Sequence, residues 1–176
     1  MNLNEVIVNC ITHASSNVFT TMLGVELRRG EVSAQNGTPD SNDGVVSLIG
    51  LAGTWTGAGS ISCSPAMACR IYSQMLMTES SAVDEDVLDA VAELTNMIIG
   101  SVKTDLETHL GPLCLSIPTV VFGRNFKTRS AGNSEWITVR FHWDEECLLV
   151  KLCLARTEPA AHPHLPVAAH PCTLDI

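Results

Sequence analysis

Apolar residues recur along the first part of the chain with a step of four: Val6, Cys10, Ala14, Val18 and Met22, widened by Ile7 and Ile11. That spacing predicts an amphipathic helix over residues 2–23, closed by Gly24. The period then shortens. A strand is expected over Val25–Ser33, and an exposed loop over Gln35–Gly44, where Asn, Asp, Gly, Ser and Pro concentrate. Two strands follow, Val45–Leu51 and Thr54–Ser62, joined by a turn at Ala52-Gly53. In the second, Gly57 and Gly59 share a face with Trp55 and Ile61, and glycines there predict close approach of a neighbouring backbone.

Ser64-Pro65 opens the next helix, since Ser suits an N-cap and Pro the first helical position; it runs to about Met77. Residues 78–83 link it to the longest helical pattern, Asp84–Leu110, which Gly111-Pro112 stops. The remaining apolar runs are short and β-rich: Leu113–Ile117, Thr119–Phe122, Phe126–Arg129, Trp136–His142 and Cys147–Leu154. Pro118 between the first two marks a bend or an edge. Helix, strands, two helices, then strands is an α+β order, with two or three helices packed on one face of a mostly antiparallel sheet. Residues 1–154 are expected to form one domain. Residues 155–176, rich in Pro, Ala and His, are expected to be a poorly ordered tail.

Composition narrows the function classes. A net charge of −9 argues against nucleic-acid binding, which needs a basic surface. No apolar run approaches the roughly 18 residues of a membrane span. The segment Met1–Val8 carries Glu5 and no basic region, so no export signal is expected and the setting is read as cytoplasmic. Seven scattered cysteines fit a reducing compartment, with Cys63, Cys69, Cys114, Cys147 and Cys153 read as small buried hydrophobes. The tail residues His162, His164, His170 and Cys172 have irregular spacing, and no metal site is expected on them. His13, His109 and His142 stand alone on separate elements. Trp55, Trp136 and Trp143 lie in β runs and are expected in the core or in an interface.

The long helix carries the chemistry. At about 100° per residue, with Asp89 at zero, Glu93 falls at about +40°, Asn96 at about −20° and Gly100 at about +20°. Val87, Val91, Leu94, Ile98 and Val102 fall at about 140° to 220°, on the opposite side. A polar stripe of this kind is commonly no more than a solvated helix face. Two choices set this one apart. Asn is a poor mid-helix residue, because its side chain competes for backbone groups. Gly100 costs roughly 1 kcal/mol against Ala, and on an exposed face it leaves room for a partner to approach.

The run Asp89-x-x-x-Glu93-x-x-Asn96, followed by Pro118, resembles the motif of the CheC/CheX/FliY phosphatases. The texts Glu93-Leu-Thr-Asn96-Met97-Ile-Ile-Gly100 and Ile117-Pro118-Thr119-Val120-Val121-Phe122-Gly123-Arg124 are similar to the CheX branch in particular, and the resemblance spans roughly residues 2–154. CheC proteins carry a second copy of the motif on another helix. Here Glu5 is followed three residues on by Val8, and Ala14 precedes Asn17, so one site per chain is expected, as in CheX.

The resemblance implies an enzyme that hydrolyses the phospho-aspartate of a CheY-like response-regulator receiver. The partner would supply a magnesium ion and a lysine, and this chain no cofactor. Asn96 would hold the attacking water, since a carboxamide offers a donor and an acceptor on one plane. Glu93 would pair with the partner's lysine, Asp89 would support the contact surface, and Gly100 would admit the partner. A homodimer joined through the sheets is also implied. The strand Cys147–Leu154, apolar on both faces, independently suggests an edge that another element must cover. The alternative is a non-catalytic adaptor of the same fold that binds receivers or flagellar-switch proteins.

Overall fold

The computed structural model describes residues 2–36, 42–126 and 135–157. Three helices lie on one face of a seven-stranded antiparallel sheet of order β1-β6-β7-β3-β2-β4, with β5 also paired to β2. The expected fold class is the observed one.

Helix α1 spans Leu3–Val18, and Asn2 caps it by accepting from the Asn4 N–H at 3.1 Å. Beyond Val18 the helix widens into a π turn, Phe19–Leu23, which Gly24 closes at φ +67°. The wider turn rotates the stripe. Phe19 and Leu23 are buried in place of Met22, which the four-residue step puts inside and the structure leaves exposed. Strand β1 occupies Arg28–Asn36, later than the expected Val25–Ser33, because Val25 and Leu27 pack against the core before pairing begins. Part of the expected Gln35–Gly44 loop thus lies in β1, part in β2 (Asn42–Gly53), and residues 37–41 lie outside the described residues.

Strand β3, Trp55–Cys63, runs between β2 and β7. Gly57 meets a neighbouring backbone as its position predicts, whereas Gly59 makes room for a helix side chain. A Cβ on Gly57 would overlap the Cys153 carbonyl oxygen, and one on Gly59 would meet the Ile99 side chain at 3.0 Å. Helix α2, Pro65–Leu76, starts on Ser64, whose Oγ accepts from the Met67 N–H at 3.0 Å and donates to Glu146.

Helix α3, Glu85–Leu110, begins at Asp84, whose carboxylate accepts from the Val87 N–H at 3.0 Å. Strands β4 (Leu113–Leu115), β5 (Thr119–Phe126), β6 (Glu135–Trp143) and β7 (Glu146–Arg156) complete the sheet. The two runs expected at Thr119–Phe122 and Phe126–Arg129 are one strand as far as Phe126, and residues 127–134 lie outside the described residues. Strand β7 continues through Arg156, two residues into the expected tail; residues 158–176, with His162, His164, His170 and Cys172, lie outside the described residues.

One expectation fails outright. Strand β7 is not an edge: it pairs with β6 on one side and β3 on the other. It is apolar on both faces because it is central, so it gives no independent reason for a dimer. The edges are β1, which is short of apolar residues and carries Arg28, Arg29 and Glu31, and the β4–β5 side.

The end of α3 is tied to β4. Thr54 Oγ1 donates to the Leu110 carbonyl at 2.7 Å. Glu107 accepts from the Leu113 N–H at 2.8 Å and from Lys103 Nζ at 2.9 Å. The Leu113 N–H first, and Lys103 second, hold the Glu107 carboxyl below its ordinary value of 4.5. A folded-state pKa below the unfolded one stabilises the fold above the ordinary value, and that contribution disappears as pH falls through the folded value. Glu107→Gln should therefore melt below wild type at neutral pH. The gap should narrow as pH is lowered from about 5 to about 3, where wild type loses the same contribution. Melting followed by circular dichroism across that range checks it; a gap independent of pH would contradict the assignment.

Candidate active site

The rotation of α3 is set by its apolar side. Val87, Val91, Leu94, Ile98 and Val102 are all fully buried, joined by Ile99 and Leu106. With that side turned to the sheet and to α1 and α2, Asp89, Glu93 and Asn96 are exposed on the other. The Thr95 hydroxyl between them is buried and donates to the Val91 carbonyl at 2.7 Å.

A second wall faces the polar stripe. Strands β4 and β5 pair successively with the same strand: Leu51 lies opposite Leu115, and Leu48 opposite Thr119. Between these two pairs the edge is interrupted. Pro118 has no N–H to give to a ladder. Ser116 makes the last attachment, donating its N–H to the Gly50 carbonyl at 2.9 Å and accepting the Gly50 N–H on Oγ at 2.8 Å. Its Oγ also donates to the Ile117 carbonyl at 3.0 Å. The tripeptide Ser116-Ile117-Pro118 is thereby held across from α3. With Asp89, Ala92, Glu93 and Asn96 it borders an open surface hollow of about 540 Å³.

The structure therefore brings Asp89, Glu93, Asn96 and Pro118 together around one hollow. Gly100 continues the same helix face one turn further on, half-exposed and outside the hollow's lining. Ser116 and Ile117 also belong to the site; Ser116 is absent from the sequence motif, and Ile117 enters it with no role assigned. Their signal is the proline itself: an edge strand broken at Pro118 must turn the residues before it out of the ladder. The side chains of Glu93 and Asn96 make no hydrogen bond or ion pair with other described residues.

Elsewhere, His13 pairs with Asp105 at 3.4 Å on the surface, and His142 Nδ1 lies 3.3 Å from Cys147 Sγ. Trp136 and Trp143 are buried, and Trp55 is half-buried beneath Arg156. Cys63, Cys69 and Cys153 are buried, and burial pushes the Cys63 thiol up to about 12. Cys114 is exposed and Cys147 half-buried, contrary to expectation, because both alternate with the core-facing residues of their strands, Leu113 and Leu148. Among the described residues no group of three or more His, Cys, Asp or Glu side chains is placed to hold a metal ion, and no helix is long and apolar enough to cross a membrane.

A family model described as "Chemotaxis phosphatase CheX" matches residues 45–142. A relative from Thermotoga maritima, "CheY-P phosphatase CheX", is 33% identical over 128 residues, which is 72% of this chain and 81% of the relative. The chain belongs to the CheX family of chemotaxis phosphatases. Solved structures agree on the fold. The chemotaxis protein CheX of Vibrio vulnificus aligns at TM-score 0.75 and 26% identity, covering 88% of this chain and 100% of that one. A chain of the CheX–CheY–BeF3–Mg complex from Borrelia burgdorferi aligns at TM-score 0.73 and 24% identity, over 85% and 98%. The segment matched to the CheX model contains the whole polar stripe and the Ser116–Pro118 wall.

The glycine in the CheX-family stripe is not required by the fold. A Cβ on Gly100 would meet nothing closer than Leu115 Cδ1, at 3.9 Å, which is ordinary contact. Gly100→Ala should therefore raise helix stability by up to about 1 kcal/mol. Chemical denaturation checks this, and a destabilised variant would mean that Gly100 serves the packing after all.

Proposed function

We propose that this CheX-family chain hydrolyses the phospho-aspartate of a CheY-like receiver domain, with Glu93 and Asn96 as its catalytic pair. The observation that carries the proposal is the pairing itself. Two hydrogen-bonding side chains, one turn apart and unengaged by the rest of the described chain, face a hollow at an exposed helix face. The Thermotoga maritima relative bears the name of a CheY-P phosphatase, and the Borrelia burgdorferi neighbour of the same fold was captured with CheY, beryllofluoride and magnesium.

The reaction is attack of water on phosphorus, cleavage of the bond to the aspartate oxygen, and release of inorganic phosphate with the free carboxylate. Magnesium and a lysine on the receiver would neutralise the phosphoryl oxygens. What remains is to place a water in line, and the Asn96 carboxamide can do so by donating to and accepting from it. A loose transition state requires no strong base. Glu93 would pair with the receiver's lysine, a charge-assisted contact that docks α3 and sets Asn96 in register. Asp89 borders the contact, and Gly100 lets the receiver's surface come close to the helix. A homodimer and a cytoplasmic setting complete the proposal; the free thiols of the six described cysteines fit a reducing compartment.

A non-catalytic adaptor would bind receivers through the same face without releasing phosphate. Asn96→Ala should keep the fold and lower phosphate release by roughly 10²-fold, the scale for one positioned polar group. Activity within about twofold of wild type would remove the water-orienting role. Glu93→Lys sets two like charges together and should weaken binding to a beryllofluoride-bound receiver without changing the melting temperature. An unchanged affinity would take Glu93 out of the interface.

A further inference from the structure

The wall of the polar hollow exposes an apolar side chain, Ile117, and a second, Phe122, is exposed further along the same edge. Ile117 is 88% exposed, although it is a large aliphatic residue in a segment tied down on both sides. Its neighbour Ser116 is bonded twice to Gly50, and Pro118 fixes the following φ. Further along the same edge, Val120 and Phe122 lie opposite Ser47 and Val45, both fully buried residues of the helix-covered face. They therefore point to the same side of the sheet as α3. Phe122 is 48% exposed and Val120 half-buried. A single exposed aliphatic residue is unremarkable, but Ile117 lines a functional hollow from an anchored loop and is followed along the same edge by the exposed Phe122, and that placement marks a contact surface.

We propose that Ile117, with Phe122, forms the apolar docking edge for the phosphorylated receiver, and that it sets affinity while Glu93 and Asn96 act on the phosphoryl group. The inference rests on the phosphatase reading above. The occupant follows from continuity: a receiver domain presented to Glu93 and Asn96 must also lie against the opposite wall of the same hollow. An apolar contact beside a polar reaction centre is the arrangement expected of an interface core flanking desolvated charges. Rigidity matters too, because a pre-formed loop loses little freedom on docking. Ser116 is then a positioning residue, acting through the place it gives to Ile117.

The test uses the full chain and the receiver it dephosphorylates, held in the beryllofluoride–magnesium form for binding and phosphorylated for turnover. Ile117→Asp should weaken binding at least about tenfold, the scale for withdrawing one buried aliphatic side chain. KM should rise by the same factor and kcat stay within about threefold, the reverse of the Asn96→Ala pattern. Ile117→Val should restore affinity to within about threefold, since it removes a single methyl group. Ser116→Ala should show a smaller loss, again in KM and not in kcat. Because Ile117 is exposed, melting should not change. Wild-type turnover with unchanged affinity in Ile117→Asp overturns this inference alone. A wild-type chain that binds no receiver overturns it together with the phosphatase reading. If Ile117→Asp instead converts a dimer to monomer in sedimentation and leaves receiver affinity intact, the edge belongs to a second copy and the inference falls.

Discussion

Burial of one side of α3 against the sheet governs the whole site. Five aliphatic side chains, Val87, Val91, Leu94, Ile98 and Val102, are fully buried, and Ile99 occupies the space that Gly59 leaves open on β3. At roughly 1.5–3 kcal/mol for each side chain, no contact that the polar stripe could make would compensate for turning the helix by even one residue. Asp89, Glu93 and Asn96 are therefore aimed outward by forces that have nothing to do with catalysis. This is how a small protein can place a catalytic pair without holding it by hydrogen bonds: the backbone is fixed by the core, and the side chains are left free to meet a partner.

The opposing wall depends on a different constraint. Strand β2 carries two partners in succession on one edge, and the gap between them falls at Ser116-Ile117-Pro118. A proline in a continuous ladder would leave a β2 carbonyl without its donor. The chain avoids this by ending β4 at Leu115, satisfying Gly50 through Ser116, and resuming at Thr119. The loop is short, anchored at both ends, and set against α3. Helix rotation and strand interruption are independent features of the fold, and the hollow exists only where they meet.

Much of this was legible in the sequence, because periodicity reports burial directly. The apolar and polar stripes of α3, its bounds at Asp84 and Gly111, and the Ser64-Pro65 helix start all follow from local rules, and the structure has them as read. The misreadings share a cause. The four-residue step puts Met22 in the core because a π turn leaves no mark in it. Strand β7 reads as an edge from sequence, although apolarity on both faces is equally the mark of a central strand, and only the pairing order separates the two. The apolar character of Ile117 fits a strand, whereas its exposure depends on which strand lies beside it. What a residue is shows in the sequence; what it is next to, across seventy positions of chain, does not.

Three locally unfavourable choices converge on this one region. Asn96 sits in a helix interior without a hydrogen-bond partner among the described residues, Gly100 occupies a position where alanine would fit, and Ile117 exposes an aliphatic side chain on an anchored loop. Each taken singly is ordinary, and each costs the fold on the order of 1 kcal/mol or less. None has a compensating contact within the described chain. Other departures are scattered: Met77 is 87% exposed at φ +54°, and Ser15, Ser47 and Ser62 bury hydroxyls with no hydrogen-bond partner among the described residues. The caps of α1, α2 and α3 are made, and Gly57 and Gly59 are explained by close packing. What sets these three apart is that they lie on or beside one hollow lined by hydrogen-bonding side chains, and a docking partner is the kind of compensation that all three would share.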